Sequence, residues 1–133
     1  MWQCPREKKR QVFYFPKPNN TWRTFMRTST NFIVVLVTTA NKEEAEKIAQ
    51  ALLKEKLIAC ANIINPVTSF FRWSGKVDRA EECLVVMKSR MDLFAELAEC
   101  LKGLHSYEVP EVLALPIVEG SKAYLDWMSE VLK

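Results

Sequence analysis

The residue types best suited to chemistry gather in one short stretch, His105, Ser106, Tyr107, Glu108 and Glu111. His105 is the chain's single histidine, and imidazole is the side chain best fitted to neutral-pH proton transfer or transition-metal ligation. A metal held here would take His105 as principal ligand with Glu108 and Glu111 supplying oxygen donors, since affinity and selectivity need several donors in a fixed geometry. The competing reading is a hydrogen-bonded histidine lining a cleft, which needs no metal. Tyr107 joins an apolar ring to a hydroxyl and suits either a ligand contact or an interface.

Other polar groups fall within apolar patterns. Lys88 ends a hydrophobic strand, and an ammonium taken out of water calls for a carboxylate partner, with Glu82, Glu108 and Glu111 as candidates. Trp73 and Lys76 flank a Ser-Gly turn and read as structural. Cys60 reads as a small core hydrophobe, with metal ligation as the alternative. Arg72, Lys76 and Lys88 together would suit a small anionic ligand. An enzyme is not indicated, because the chain has no Gly-rich phosphate loop, no GxSxG elbow and no second histidine.

The elements that must position these groups follow from hydrophobic period. Phe32 to Val37 is a continuous apolar run, as in a strand buried on both faces and central in its sheet. Asn41 with Glu44 three positions on forms a capping box, and Ala45, Ile48, Ala49, Leu52 and Leu53 make a helical stripe. Residues 59 to 73 read as one long strand broken at Pro66 by a bulge or bend, because proline cannot donate to a ladder. Ser74 and Gly75 turn the chain into a return strand from Lys76 to Ser89. Asp92 is placed to cap a second helix with Leu93, Leu97, Cys100, Leu101 and Leu104 on its apolar face. Val112 to Ile117 gives a last strand, and Ser121 caps a final helix with Tyr124, Trp127, Met128, Val131 and Leu132 on one side.

The order βαββαβ plus a C-terminal helix predicts an α+β, ferredoxin-like split βαβ sandwich, an antiparallel sheet with two helices on one face. Its other face is apolar and needs cover that the chain does not contain, so a self-associating subunit is expected.

Composition sets the bounds. With 133 residues, 49% hydrophobic and 26% charged, the chain suits one domain with a sizeable core. Cys4, Cys60, Cys83 and Cys100 are scattered without a CxxC pair, which favours a reducing compartment over a disulfide scaffold or structural zinc. No apolar run reaches membrane-spanning length and no secretory pattern opens the chain, so a soluble cytoplasmic protein without membrane or nucleic-acid partners is expected. The net charge of +3 is segregated: residues 1 to 31 hold Arg6, Lys8, Lys9, Arg10, Lys17, Arg23 and Arg27 against Glu7 alone. That segment, with three prolines among its aromatics, reads as an irregular basic extension, and residues 32 to 133 as the domain.

Five separated blocks carry a family resemblance: Ile58 to Ile63 followed by Pro66; Trp73 to Lys76; Glu82 and Lys88; His105 to Glu111; and Tyr124, Leu125 and Trp127. In this order and spacing the chain from Phe32 to Lys133 resembles the CutA divalent-cation tolerance family. The resemblance implies a ferredoxin-like subunit in a homotrimer, PII-like in architecture and linked to tolerance of copper and other divalent metals. Some bacterial members carry a cysteine and a second histidine where this chain has Val37 and Leu104, and the usual proline after the histidine is here Ser106. Two functions follow as expectations. One is a metal-binding, metal-responsive homotrimer. The other is a trimeric signalling or interaction scaffold whose intersubunit clefts, lined by Tyr107, Lys88, Glu82, Trp73, Lys76 and Cys60, take a small ligand or protein partner without metal.

Overall fold

The computed structural model describes residues 30–133. The basic extension expected over residues 1 to 31 therefore lies outside the described residues as far as residue 29. Thr30 and Asn31 already belong to the folded body. The Thr30 N–H and hydroxyl both donate to the Ile117 carbonyl, at 3.1 and 2.5 Å, and Met91 N–H donates to the Asn31 carbonyl at 2.9 Å.

The elements are β1 (Phe32–Thr39), α1 (Lys42–Lys54), β2 (Cys60–Trp73), β3 (Lys76–Arg90), a 3-10 turn (Met91–Leu93), α2 (Phe94–Leu104), β4 (Leu113–Pro116) and α3 (Lys122–Val131). The four strands form one sheet in the order β2-β3-β1-β4, with every neighbouring pair antiparallel. Inserting β3 between β1 and β2 is what splits the βαβ unit, so the ferredoxin-like α+β expectation holds.

Side chains alternate across the pleat. Ile33, Val35 and Val37 of β1 and Cys83, Val85 and Met87 of β3 are fully buried on the helix side, with Ile48 and Leu52 of α1 and Leu97 and Leu101 of α2. Full burial of each leucine or isoleucine contributes roughly 1.5–3 kcal/mol, so this layer is the main source of stability. The opposite face stays open. Cross-strand register places Ile64, Leu84 and Thr38 in one row, Asn62, Val86, Leu36 and Leu113 in the next, and Cys60, Lys88, Val34 and Leu115 in the third. Val34, Leu36, Leu84 and Val86 are half-buried, and Ile64, Leu113 and Leu115 are exposed.

Local signals shaped the ends of elements as their chemistry requires. The Asn41 side chain accepts from Glu44 N–H at 2.8 Å and caps α1, and Ser121 Oγ accepts from Tyr124 N–H at 3.4 Å at the start of α3. The bulge expected at Pro66 falls between Ile64 and Val67, where the Asn65–Pro66 peptide is cis. Ser74 and Gly75 both have positive φ, 49° and 76°, and close the hairpin tightly enough that Trp73 pairs with Lys76.

Four expectations are corrected. Asp92 does not cap α2: it accepts from Arg90 Nε at 2.6 Å, and a 3-10 turn precedes the helix, which starts without a side-chain cap. Leu53 is 43% exposed, because one residue past Leu52 it has rotated off the buried stripe. Tyr124 and Trp127 stand on the surface of α3, packed on each other with ring centroids 5.3 Å apart, while Met128 and Leu132 supply its buried contacts. Cys60 and Cys83 are free thiols, but Cys100 is disulfide-bonded; an apolar setting suits a thiol and a disulfide alike, so sequence pattern did not separate them.

Beyond Cys83, where β1 ends its pairing, β2 and β3 continue as a two-stranded arm. Phe70 is 69% exposed and Trp73 66%, with Phe71 and Val77 also on the surface. Arg79 lies over the Phe70 ring at 6.0 Å and pairs with Glu81 at 2.7 Å. Two strands alone are marginal in water, and this arm carries more apolar surface than it can cover.

Candidate functional site

His105 sits where α2 ends. Its backbone is extended at φ −80° and ψ 141° while its N–H still donates to the Leu101 carbonyl at 2.9 Å. That change of direction turns the imidazole inward against the end of β1, and none of its side-chain surface is exposed. Nε2 lies 2.7 Å from the Thr38 carbonyl oxygen. A carbonyl can only accept, so Nε2 carries the proton. Nδ1 accepts from Tyr107 N–H at 3.0 Å. The two bonds together select the neutral Nε2–H tautomer.

Glu44 surrounds the other side of this turn. Its Oε1 accepts from Ser106 N–H at 2.6 Å and its Oε2 from the Ser106 hydroxyl at 3.0 Å and from Ala40 N–H at 3.3 Å. His105 Nδ1 is 3.5 Å from Oε1, near enough to pair if the ring were charged. Burial pushes the Glu44 carboxyl up, but the Ser106 hydrogen bonds and the Ala40 N–H hold the group below its ordinary value. Ser106 takes part through its backbone N–H, which a proline at that position would lack.

Tyr107 continues the cluster toward the sheet. Its ring is tilted 50° to the His105 ring at a centroid distance of 4.8 Å, and its hydroxyl donates to Glu82 Oε2 at 2.8 Å. Burial, the hydrogen bond and charge of Glu82, and the charge of Glu44 push the phenol up to about 12. A phenol raised in the folded state stabilises the fold fully below the ordinary value of 10.0, and this contribution is gone above about 12. Tyr107→Phe is therefore expected to lose about 1 kcal/mol at neutral pH and to show a shallower fall in stability across that alkaline window. Urea midpoints at pH 7 and at several alkaline pH values read both effects; a slope equal to that of the natural chain would remove Tyr107 as the titrating group.

The sequence-predicted residues divide accordingly. His105, Tyr107 and Glu82 come together, joined by Glu44, Ser106 and the Thr38 carbonyl. Glu108 and Glu111 do not join them, and both are exposed. The expected metal set of His105, Glu108 and Glu111 is thus corrected: both ring nitrogens of His105 are engaged, and among the described residues no three histidine, cysteine or acidic side chains are grouped as a metal ion would need. The chemistry of this donor set does not fit a transition metal.

Lys88 is also corrected, because the partner that meets its ammonium is the Asn62 side-chain carbonyl rather than a carboxylate. Glu82, proposed for that role, belongs to Tyr107. Cys60 is not a core residue but half-exposed, with Sγ 3.4 Å from the Tyr124 hydroxyl. Trp73, Lys76 and Arg72 lie at the exposed end of the arm, away from the His105 cluster in the strand register. Glu44 is the participant that sequence reasoning missed as a site residue. Its spacing from Asn41 marked it as a helix cap, and the same carboxylate also serves the loop after α2.

The cluster is a tie among β1, α1, α2 and β3. Its hydrogen bonds fix the segment from His105 to Tyr107 on the end of the sheet.

Comparison with known proteins agrees with this fold. The family model described as CutA1 divalent ion tolerance protein matches residues 33–131. The chain is 47% identical over 97 residues to a divalent-cation tolerance protein CutA of Thermus thermophilus, covering 73% of this chain and 94% of that one. Among solved structures it is similar to the Archaeoglobus fulgidus protein described as a periplasmic divalent cation tolerance protein CutA, with TM-score 0.75, 42% identity, and coverage of 77% of this chain and 99% of that one. CutA1 from Oryza sativa matches with TM-score 0.76 and 42% identity, over 80% of this chain and 97% of that one.

Proposed function

Because the chain belongs to the CutA1 divalent ion tolerance family, we propose that it serves tolerance of divalent cations, copper among them, as a non-enzymatic subunit of a homotrimer with PII-like architecture. The family match across nearly the whole described domain carries the tolerance reading. The open sheet face and the apolar two-stranded arm support the assembly, since an exposed apolar patch of this kind is covered in a soluble protein by association. Three copies closing in a ring would cover both, each arm reaching a neighbour.

Expression in a bacterium that lacks its own family member tests the reading. The chain is expected to restore growth in copper that inhibits the parent strain. Growth no better than the parent's, with the protein present and folded, would overturn it.

One observation favours a second activity of the same assembly. The Lys88 ammonium lies in an otherwise largely apolar row of the sheet, bonded to the neutral Asn62 and facing the Cys60 position. A cation on a surface that becomes buried needs negative charge. A small anionic ligand or a carboxylate of a neighbouring subunit would supply it, which is the scaffold reading of the intersubunit cleft.

A further inference from the structure

The single imidazole of this chain is committed before any cation arrives. Its side chain has no solvent-exposed surface, its Nε2–H is spent on the Thr38 carbonyl at 2.7 Å, and its Nδ1 lone pair is spent on Tyr107 N–H at 3.0 Å. Metal ligation needs a nitrogen lone pair directed at the ion. At Nδ1 that would displace the Tyr107 N–H; at Nε2 it would require loss of a proton and of the Thr38 bond. Neither position opens to a neighbouring subunit, because the ring is enclosed by its own chain.

We infer that His105 is a positioning residue, a latch locked in the Nε2–H tautomer that seats Tyr107 over Glu82, and that any divalent cation bound by this chain is bound without imidazole coordination. The latch works through geometry. Holding Tyr107 N–H at Nδ1 fixes the backbone three residues past the helix, and this directs the phenol to the Glu82 carboxylate 2.8 Å away. Ser106, between them, is held by both oxygens of Glu44. Three consecutive residues are thereby anchored to β1, α1 and β3. The inference does not depend on the tolerance reading: a ring found bound to metal would leave the growth assay standing, and a failed growth assay would leave the ring assignment intact.

Because there is one histidine, nitrogen-15 spectra of the intact chain labelled at histidine report this ring without assignment. The expected spectrum shows a protonated Nε2 and an unprotonated, hydrogen-bonded Nδ1, and both signals stay in place as Zn²⁺ is added in excess. The opposite tautomer, or a ring nitrogen that moves and saturates with zinc, overturns the inference. His105→Gln retains a donor near the Nε2 position and His105→Asn an acceptor near Nδ1, so each is expected to preserve zinc affinity while losing thermal stability. A roughly tenfold or greater loss of zinc affinity in a variant that keeps its melting temperature would equally overturn it. Should neither variant fold, the spectra of the natural chain decide.

Discussion

Placing a carboxylate on two open-face positions, Leu36→Asp with Leu84→Asp, is expected to leave the subunit folded and to abolish its self-association. In the single subunit both side chains are half-buried and lie opposite the helix layer, so solvent still reaches a new charge there. In an assembly whose sheets pack on one another the same charges would be enclosed. The penalty for enclosing an ion is several kcal/mol each, even after relaxation, and about 1.4 kcal/mol already changes an association constant tenfold. The natural chain is expected to sediment with the mass of three 15.4 kDa copies and the double variant with the mass of one. Near-unchanged far-ultraviolet circular dichroism would show that the fold survives. A natural chain sedimenting at 15.4 kDa, or a variant that stays trimeric, would sink the assembly.

The second large effect belongs to Glu44. Glu44→Ala removes the acceptor for Ser106 N–H, the Ser106 hydroxyl and Ala40 N–H, and hydrogen bonds to a charged group are each worth about 1.5–3 kcal/mol. Solvent will satisfy some of these donors, so a loss of about 2–4 kcal/mol is expected; Glu44→Gln, with one acceptor oxygen where the carboxylate has two, recovers only the part that geometry rather than charge supplies. The acid dependence distinguishes the two. Since the folded carboxyl is held below its ordinary value of 4.5, its contribution is present above the unfolded value and is lost as pH falls through the lower folded one. Stability of the natural chain should decline on acidification through that range, and Glu44→Gln should decline less. Denaturant midpoints between neutral and acidic pH measure this; parallel curves for the two proteins would show that another carboxyl governs the acid limb.

The Ser106 position ties this effect to the chain's own sequence. Ser106 supplies a backbone N–H and a hydroxyl, and both are used by Glu44. Only the structure shows the carboxylate that receives the two donors.

How much was legible in advance can be judged from particular residues. The apolar run of β1, the Asn41 and Ser121 caps, the bulge at Pro66 and the Ser74-Gly75 turn are properties of neighbouring residues and appear where the pattern placed them, but β1, expected to be buried on both faces, is fully buried on the helix side alone. Asp92 failed as a cap because Arg90, two residues before it, offered a charged partner that competed with the helix terminus. Tyr124 and Trp127 carried the helical period but not the side of the helix that would be covered, since Met128 and Leu132 sufficed to seal α3.

The sequence by itself determined the order of elements, the family and the position of the chemically richest segment, because periodicity, caps and turns act over a few residues. The tertiary structure alone decided what that segment does. His105 meets Thr38 across 67 residues of chain and Ser106 meets Glu44 across 62; those encounters depend on how α1 and α2 lie on the sheet. A histidine beside two glutamates looked like a metal site in one dimension. In three dimensions its two nitrogens were satisfied from within the chain, Glu108 and Glu111 faced solvent, and the imidazole became a latch.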